Sequence, residues 1–151
     1  MKSFHNFVLL VDVDNTTITE EQLKKIINKI EAIGDITYIK FYGCNDKKHK
    51  EFADIINGRC CDTASVLRTK IRSRKSVMDT RIIVDGMKIA ASGVADSFAI
   101  IAGDGDFGYF LSALKAMGMY VAGRFNSDVN ISFCDIYLVD FEQNAENNSN
   151  V

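Results

Sequence analysis

Two apolar strand-like runs in this chain each lead straight into a group of aspartates, and this pattern limits the fold more than any other feature. The first strand spans Phe7 to Val13, where the apolar stretch Phe7 to Val11 delivers Asp12, Asp14 and Asn15. The second is Ser97 to Ala102, followed by Asp104 and Asp106 through Gly103 and Gly105. Runs of this kind suit central strands of a parallel sheet, covered on both faces, because half-exposed strands alternate apolar with polar residues. In an open parallel sheet, ligands bind beyond the C-terminal ends of the strands, which is where both acidic groups fall.

Between the strands the apolar period becomes helical. Thr19 precedes Glu20, Glu21 and Gln22, and Leu23, Ile26, Ile27, Ile30 and Ile33 follow at helical spacing with Gly34 as the stop, which predicts a capped amphipathic helix. Ile36 to Tyr42 reads as a strand, Lys47 to Asn57 as a helix ended by Gly58, and Thr63 to Lys75 as a stretch with room for a third, less buried strand. Val77 to Ser92 returns to a helical pattern closed by Gly93. Phe107 to Met117 is a further helix with Leu111 and Leu114 inward, and Tyr120 to Ala122 and Ile136 to Val139 are the last strands. Strands alternating with helices imply right-handed crossovers and a three-layer α/β/α sandwich with a mainly parallel central sheet, Rossmann-like in layout.

At 151 residues, with 47% hydrophobic and 25% charged, the chain suits one domain over residues 1–141. The tail from Glu142 to Val151 is polar, Asn-rich and aperiodic, and is expected to be disordered. The apolar run at the start is too short for a signal-peptide core or a membrane span. Cys44, Cys60, Cys61 and Cys134 lack the paired spacing of a zinc site, and free thiols in a reducing cytoplasm fit them best. A formal net charge of -2 means that any contact with nucleic acid needs a local basic surface.

If the two acidic strand ends are neighbours, three or four carboxylates converge. Two unit charges about 5 Å apart repel by roughly 3 kcal/mol at an effective dielectric near 20. A divalent cation relieves that, and hard oxygen donors with few His or Cys select Mg²⁺ or Mn²⁺ over Zn²⁺. Such ions activate water and stabilise the leaving oxygen of a phosphodiester. The plainer roles are a turn at Asp14 and Asn15 and a helix cap at Asp106. Asp79 and Asp85 lie on the helix between. At about 100° per residue they are about 240° out of phase, so either Asp79 precedes the helix or only one of them faces the site. His5 and His49 are isolated and carry no role.

Arg68, Lys70, Arg72 and Arg74 alternate with Thr69, Ile71 and Ser73, and Lys75 follows. In an extended segment the four cations share one side and can follow the phosphates of an RNA strand, or they protect a sheet edge.

Taken together, the chain resembles the NYN domain family, a branch of PIN-like nucleases. The resemblance lies in Val11 Asp12 Val13 Asp14 Asn15, in Lys75 through Asp79 to Asp85, and in Ile101 Ala102 Gly103 Asp104 Gly105 Asp106 Phe107. It implies a PIN-like α/β/α sandwich and a Mg²⁺- or Mn²⁺-dependent ribonuclease acting through a metal-activated water. Asp12, Asp79, Asp85, Asp104 and Asp106 match its acidic positions, with Asp12 and Asp104 the leading metal ligands, Asp79 and Asp106 beside them and Asp85 in support. Asn15 matches the polar residue that steadies the first turn, and it is expected to touch substrate together with Arg68, Lys70, Arg72, Arg74 and Lys75. The family has Ser where this chain has Ala102 and Gly105, and one extra residue separates Lys75 from Asp79.

Asp12 Val13 Asp14 Asn15 Thr16 is also similar to the first motif of haloacid dehalogenase-type phosphatases, which would make Asp12 the nucleophile and Asp14 the general acid. That family's further carboxylate would fall near Gly108, and it needs no acid at Asp79 or Asp85. A third reading is an RNA-binding module without turnover. The sequence sets no oligomeric state.

Overall fold

A computed structural model of the chain describes residues 5–65 and 74–139, and only the backbone of residues 74–76. Six strands, β1 (His5–Asp12), β2 (Gly34–Tyr42), β3 (Cys61–Ala64), β4 (Ser97–Ile101), β5 (Tyr120–Arg124) and β6 (Ile136–Tyr137), form one sheet in the order β3-β2-β1-β4-β5-β6. Every pairing is parallel. The helices are α1 (Glu20–Glu31), α2 (Asp46–Glu51), α3 (Ala53–Gly58), α4 (Arg74–Ser92), α5 (Gly108–Ala116) and α6 (Asp128–Ile131).

The sheet separates two cores. On one face Phe7, Leu9 and Val11 of β1 meet Leu23, Ile26, Ile27 and Ile30 of α1, together with Phe52 and Ile55. On the other, Val8 and Leu10 meet Met78, Ile82 and Ala90 of α4 and Phe110, Leu111 and Leu114 of α5. Because successive side chains of a strand point to opposite faces, one apolar run supplies both layers. That is the α/β/α sandwich expected from the sequence, here with an all-parallel sheet. No helix among the described residues is long and apolar enough to cross a membrane.

The strand order reverses between β1 and β4, since the chain leaves β1 toward β2 on one side and returns to β4 on the other. This places the crevice between the C-terminal ends of these two strands, which pair from Phe7 with Ser97 to Val11 with Ile101.

Thr19 caps α1 as expected, its side chain accepting from Gln22 N while the Gln22 side chain accepts from Thr19 N. Gly34 does not end that helix; it opens β2, where a β-carbon would stand 2.3 Å from the His5 carbonyl oxygen. The single helix expected over Lys47 to Asn57 is two short ones broken at Phe52, whose buried ring packs against Phe41 with centroids 5.6 Å apart. The third strand is Cys61–Ala64, earlier than most of the stretch expected to hold it. Helix α4 starts at Arg74, so Arg74 and Lys75 are helical and do not extend a row at strand spacing. Arg68, Lys70 and Arg72, and the tail expected to be disordered, lie outside the described residues.

Candidate active site at the strand ends

Asp12 closes β1 and is fully buried. Its Oδ1 accepts from the backbone N–H groups of Asp14 and Asn15, both at 3.0 Å, and its Oδ2 accepts from Asn15 Nδ2 at 2.8 Å. The Thr16 hydroxyl donates to the Asp12 carbonyl oxygen at 2.6 Å. The carboxylate therefore shapes its own turn and is held in one orientation by it. Burial pushes the Asp12 carboxyl above its ordinary value, outweighing the hydrogen bonds from Asn15 and Asp14 that favour the charged form. On the neighbouring side, Gly43 follows β2 at φ 71, and a β-carbon there would stand 2.3 Å from Asp14 Cβ. Only glycine lets the two loops close on each other.

The loop after β4 carries Asp104 and Asp106, both exposed. Asp106 Oδ1 accepts from Gly108 N at 3.0 Å, so this residue braces the entry to α5, but the N-cap position expected for it is held by Phe107. The loop is pinned from below by Asn130 of α6, 1% exposed, whose Oδ1 accepts from Phe107 N at 3.1 Å and whose Nδ2 donates to the Gly105 carbonyl oxygen at 2.6 Å.

Asp79 comes to the same loop from α4. A β-carbon on Gly105 would stand 2.1 Å from Asp79 Oδ2 and 2.7 Å from its Cγ, so the carboxylate rests on the bare backbone between Asp104 and Asp106. With Asp79 in this place no serine fits at position 105, which accounts for the glycine there.

Asp85 faces elsewhere. Its Oδ2 accepts from the Tyr42 hydroxyl at 2.8 Å and lies 2.8 Å from Lys40 Nζ. Burial would raise its pKa, but these two partners and the nearby Arg81 hold it below the ordinary carboxylate value. Burial and the Asp85 carboxylate drive the Tyr42 phenol far upward, while burial and Asp62 push Tyr38 up to about 12, so both remain hydrogen-bond donors. The helix-phase alternatives are thus separated: Asp79 lies inside α4, not before it, and only Asp79 reaches the strand-end loop.

The structure brings Asp12, Asp14 and Asn15 of the first loop, Asp79 of α4, and Asp104 and Asp106 of the second to one end of the sheet. It sends Asp85 to a network on β2. Among the described residues no three His, Cys, Asp or Glu side chains form a group able to hold a metal ion. The expected convergence of three or four carboxylates is therefore not present as a formed cage. The donor chemistry still fits a hard cation, with carboxylate oxygens on both sides of the crevice, one of them buried at a cost in its charged form.

Sequence reasoning missed Asn130, which has no local signal because its partners lie more than twenty residues away. It also missed Lys40 and Tyr42, although Tyr38, Lys40 and Tyr42 alternate along β2 and so share one face.

No curated protein is similar enough in sequence to match the chain. A crystal structure of a protein of unknown function from Vibrio parahaemolyticus has a similar fold, with a TM-score of 0.69 and 20% sequence identity over 91% of this chain and 94% of that one. The model of the NYN domain matches residues 6–142, most of the chain. The haloacid dehalogenase resemblance covers less and gives no purpose to the acid resting on Gly105. The chain belongs to the NYN domain family, a branch of the PIN-like nucleases.

Proposed function

We propose that the protein is a divalent-metal-dependent ribonuclease that hydrolyses RNA phosphodiester bonds. The observation that supports this most is the placement of Asp79 on Gly105, between Asp104 and Asp106 and across the crevice from the end of β1. A β-carbon at that point would meet Asp79 Oδ2 at 2.1 Å and the Phe107 ring at 3.1 Å, so glycine is what admits the Asp79 carboxylate to the loop that carries Asp104 and Asp106.

Asp12, Asp79, Asp104 and Asp106 would hold Mg²⁺ or Mn²⁺, which when bound supplies an acidified water and positive charge for the leaving oxygen. Asp12 is aimed by the Asp14 and Asn15 N–H groups, whose hydrogen bonds favour its charged form against the cost of burial. The Asn15 amide, already donating to Asp12, orients that carboxylate and the phosphate beside it. Asp106 ties the metal loop to α5 through Gly108 N. Asp85 anchors α4 to β2 through Tyr42 and Lys40. Arg68, Lys70, Arg72, Arg74 and Lys75 supply the cations that follow the RNA backbone, and the four free thiols agree with a reducing cytoplasm.

Purified protein incubated with mixed RNA and with a generic phosphatase substrate, each with Mg²⁺, Mn²⁺ or chelator, tests the proposal. RNA cleavage that requires the metal is the expected result. Metal-independent cleavage, or turnover of the phosphatase substrate instead of RNA, overturns it, and RNA binding without cleavage supports the non-catalytic module.

A further inference from the structure

Tyr109, in the first turn of α5, is 92% exposed, more than any other large apolar side chain among the described residues. A ring that removes so little of its area from water contributes little to folding. Val129 of α6 is 65% exposed, and with Tyr109 it borders a groove of about 210 Å³ that is also lined by Asp106, Gly108, Ser112 and Phe133. A β-carbon at Gly108 would point between two walls of the groove, 3.3 Å from Asp106 Oδ1 and 3.6 Å from the Phe133 ring.

The size of the groove limits its occupant. Small-molecule pockets run to about 300–1,000 Å³, so this one suits a single flat group. A stable protein interface buries on the order of 800 Å² per partner, which three apolar side chains fall well short of providing. The position is as informative, because Asp106 is both a wall of this groove and part of the acidic strand-end loop. A group in the groove is therefore continuous with whatever lies beside Asp104 and Asp106.

We propose that Tyr109 and its groove form a stacking subsite for one unpaired base of the RNA whose phosphate lies at the acidic loop. The inference rests on the ribonuclease reading. Bases inside an A-form duplex are already stacked and cannot turn outward to reach such a ring, whereas those of a loop or single strand can. Stacking on an aromatic face tolerates any base, and a lining whose polar side chains are Asp106, Ser112 and the Tyr109 hydroxyl adds little sequence preference.

The test compares wild type, Tyr109→Ala and Tyr109→Phe by fluorescence anisotropy with a labelled oligouridylate, the same strand carrying abasic sites, and an RNA duplex, all in Ca²⁺. Cleavage is followed in Mn²⁺. Tyr109→Ala is expected to weaken single-strand binding by about tenfold or more, as loss of a stacking aromatic does. Tyr109→Phe keeps the affinity, the abasic strand is insensitive to either change, and the melting temperature is unaltered. Equal oligouridylate binding by Tyr109→Ala and wild type overturns the subsite and leaves the ribonuclease reading standing. A wild type that neither binds nor cuts RNA overturns both. A wild-type dimer that Tyr109→Ala dissolves shows instead that the groove joins two copies of the chain.

Discussion

Asp79 and Gly105 meet so closely that a β-carbon at position 105 would stand 2.1 Å from Asp79 Oδ2. The nearest atoms are the end of the rotatable Asp79 side chain, with the Phe107 ring next at 3.1 Å, so Gly105→Ala displaces the carboxylate more than it disturbs the fold. Cleavage of RNA is expected to fall about ten- to a hundred-fold, the usual effect of disturbing a metal ligand or its support. The melting temperature changes little. Steady-state rates at saturating Mn²⁺ together with thermal denaturation check this, and full activity in the alanine variant would show that the position of Asp79 does not matter.

Asp79 and Asp85, six positions apart on one helix, are predicted to fail in different ways. Asp79→Asn costs about a hundred-fold in turnover with stability nearly kept. Asp85→Asn leaves Lys40, whose side chain is 15% exposed, with Asp62 at 3.9 Å as its remaining carboxylate among the described residues, and it is expected to cost about 1 kcal/mol after allowance for the partial exposure of the pair. Turnover of the folded Asp85→Asn protein stays within several-fold of wild type.

The same ion pair sets a pH dependence. The carboxyl of Asp85 has a lowered pKa in the folded protein, so its stabilisation is complete above the ordinary value of 3.8 and is lost as pH falls through the folded value. The difference in melting temperature between wild type and Asp85→Asn should therefore shrink in the acid range below that value and be constant near neutrality. A difference that grows on acidification would contradict the ion-pair account.

Asn130 is predicted to matter without touching substrate. Asn130→Leu removes the bonds to Phe107 N and the Gly105 carbonyl and leaves a buried N–H without a side-chain acceptor, at a cost of about 2 kcal/mol. Because those bonds fix the loop that carries Asp104 and Asp106, activity measured well below the melting temperature should also fall. A destabilised variant with undiminished kcat would mean that the loop holds its shape alone.

Much of this arrangement was legible in the sequence, for identifiable reasons. The strands ending at Asp12 and before Asp104 announce themselves because burial on both faces requires an unbroken apolar run, and the capping of α1 by Thr19 is a purely local signal. The break at Phe52 was not legible, since the helical period continues through it and the ring that stands there is buried against Phe41, which is distant in sequence. Strand β3 is four residues, Cys-Asp-Thr-Ala, at the sheet edge, with too little apolar character to stand out. At the site, the period of α4 showed that Asp79 and Asp85 could not act together but not which one turned inward. That choice depends on Gly105 on one side and on Lys40 and Tyr42 on the other, all distant in sequence.

The central claim is that carboxylates at the crevice hold the ion that cuts RNA, and cleavage of labelled RNA by wild type and Asp104→Asn across a Mn²⁺ series, with a chelator control, tests it most directly. Wild type should cut only with metal, and the asparagine variant, folded and melting no lower than metal-free wild type, should not cut at any Mn²⁺ concentration. Cleavage that survives the chelator, or a folded Asp104→Asn protein that cuts as fast as wild type, would contradict the account.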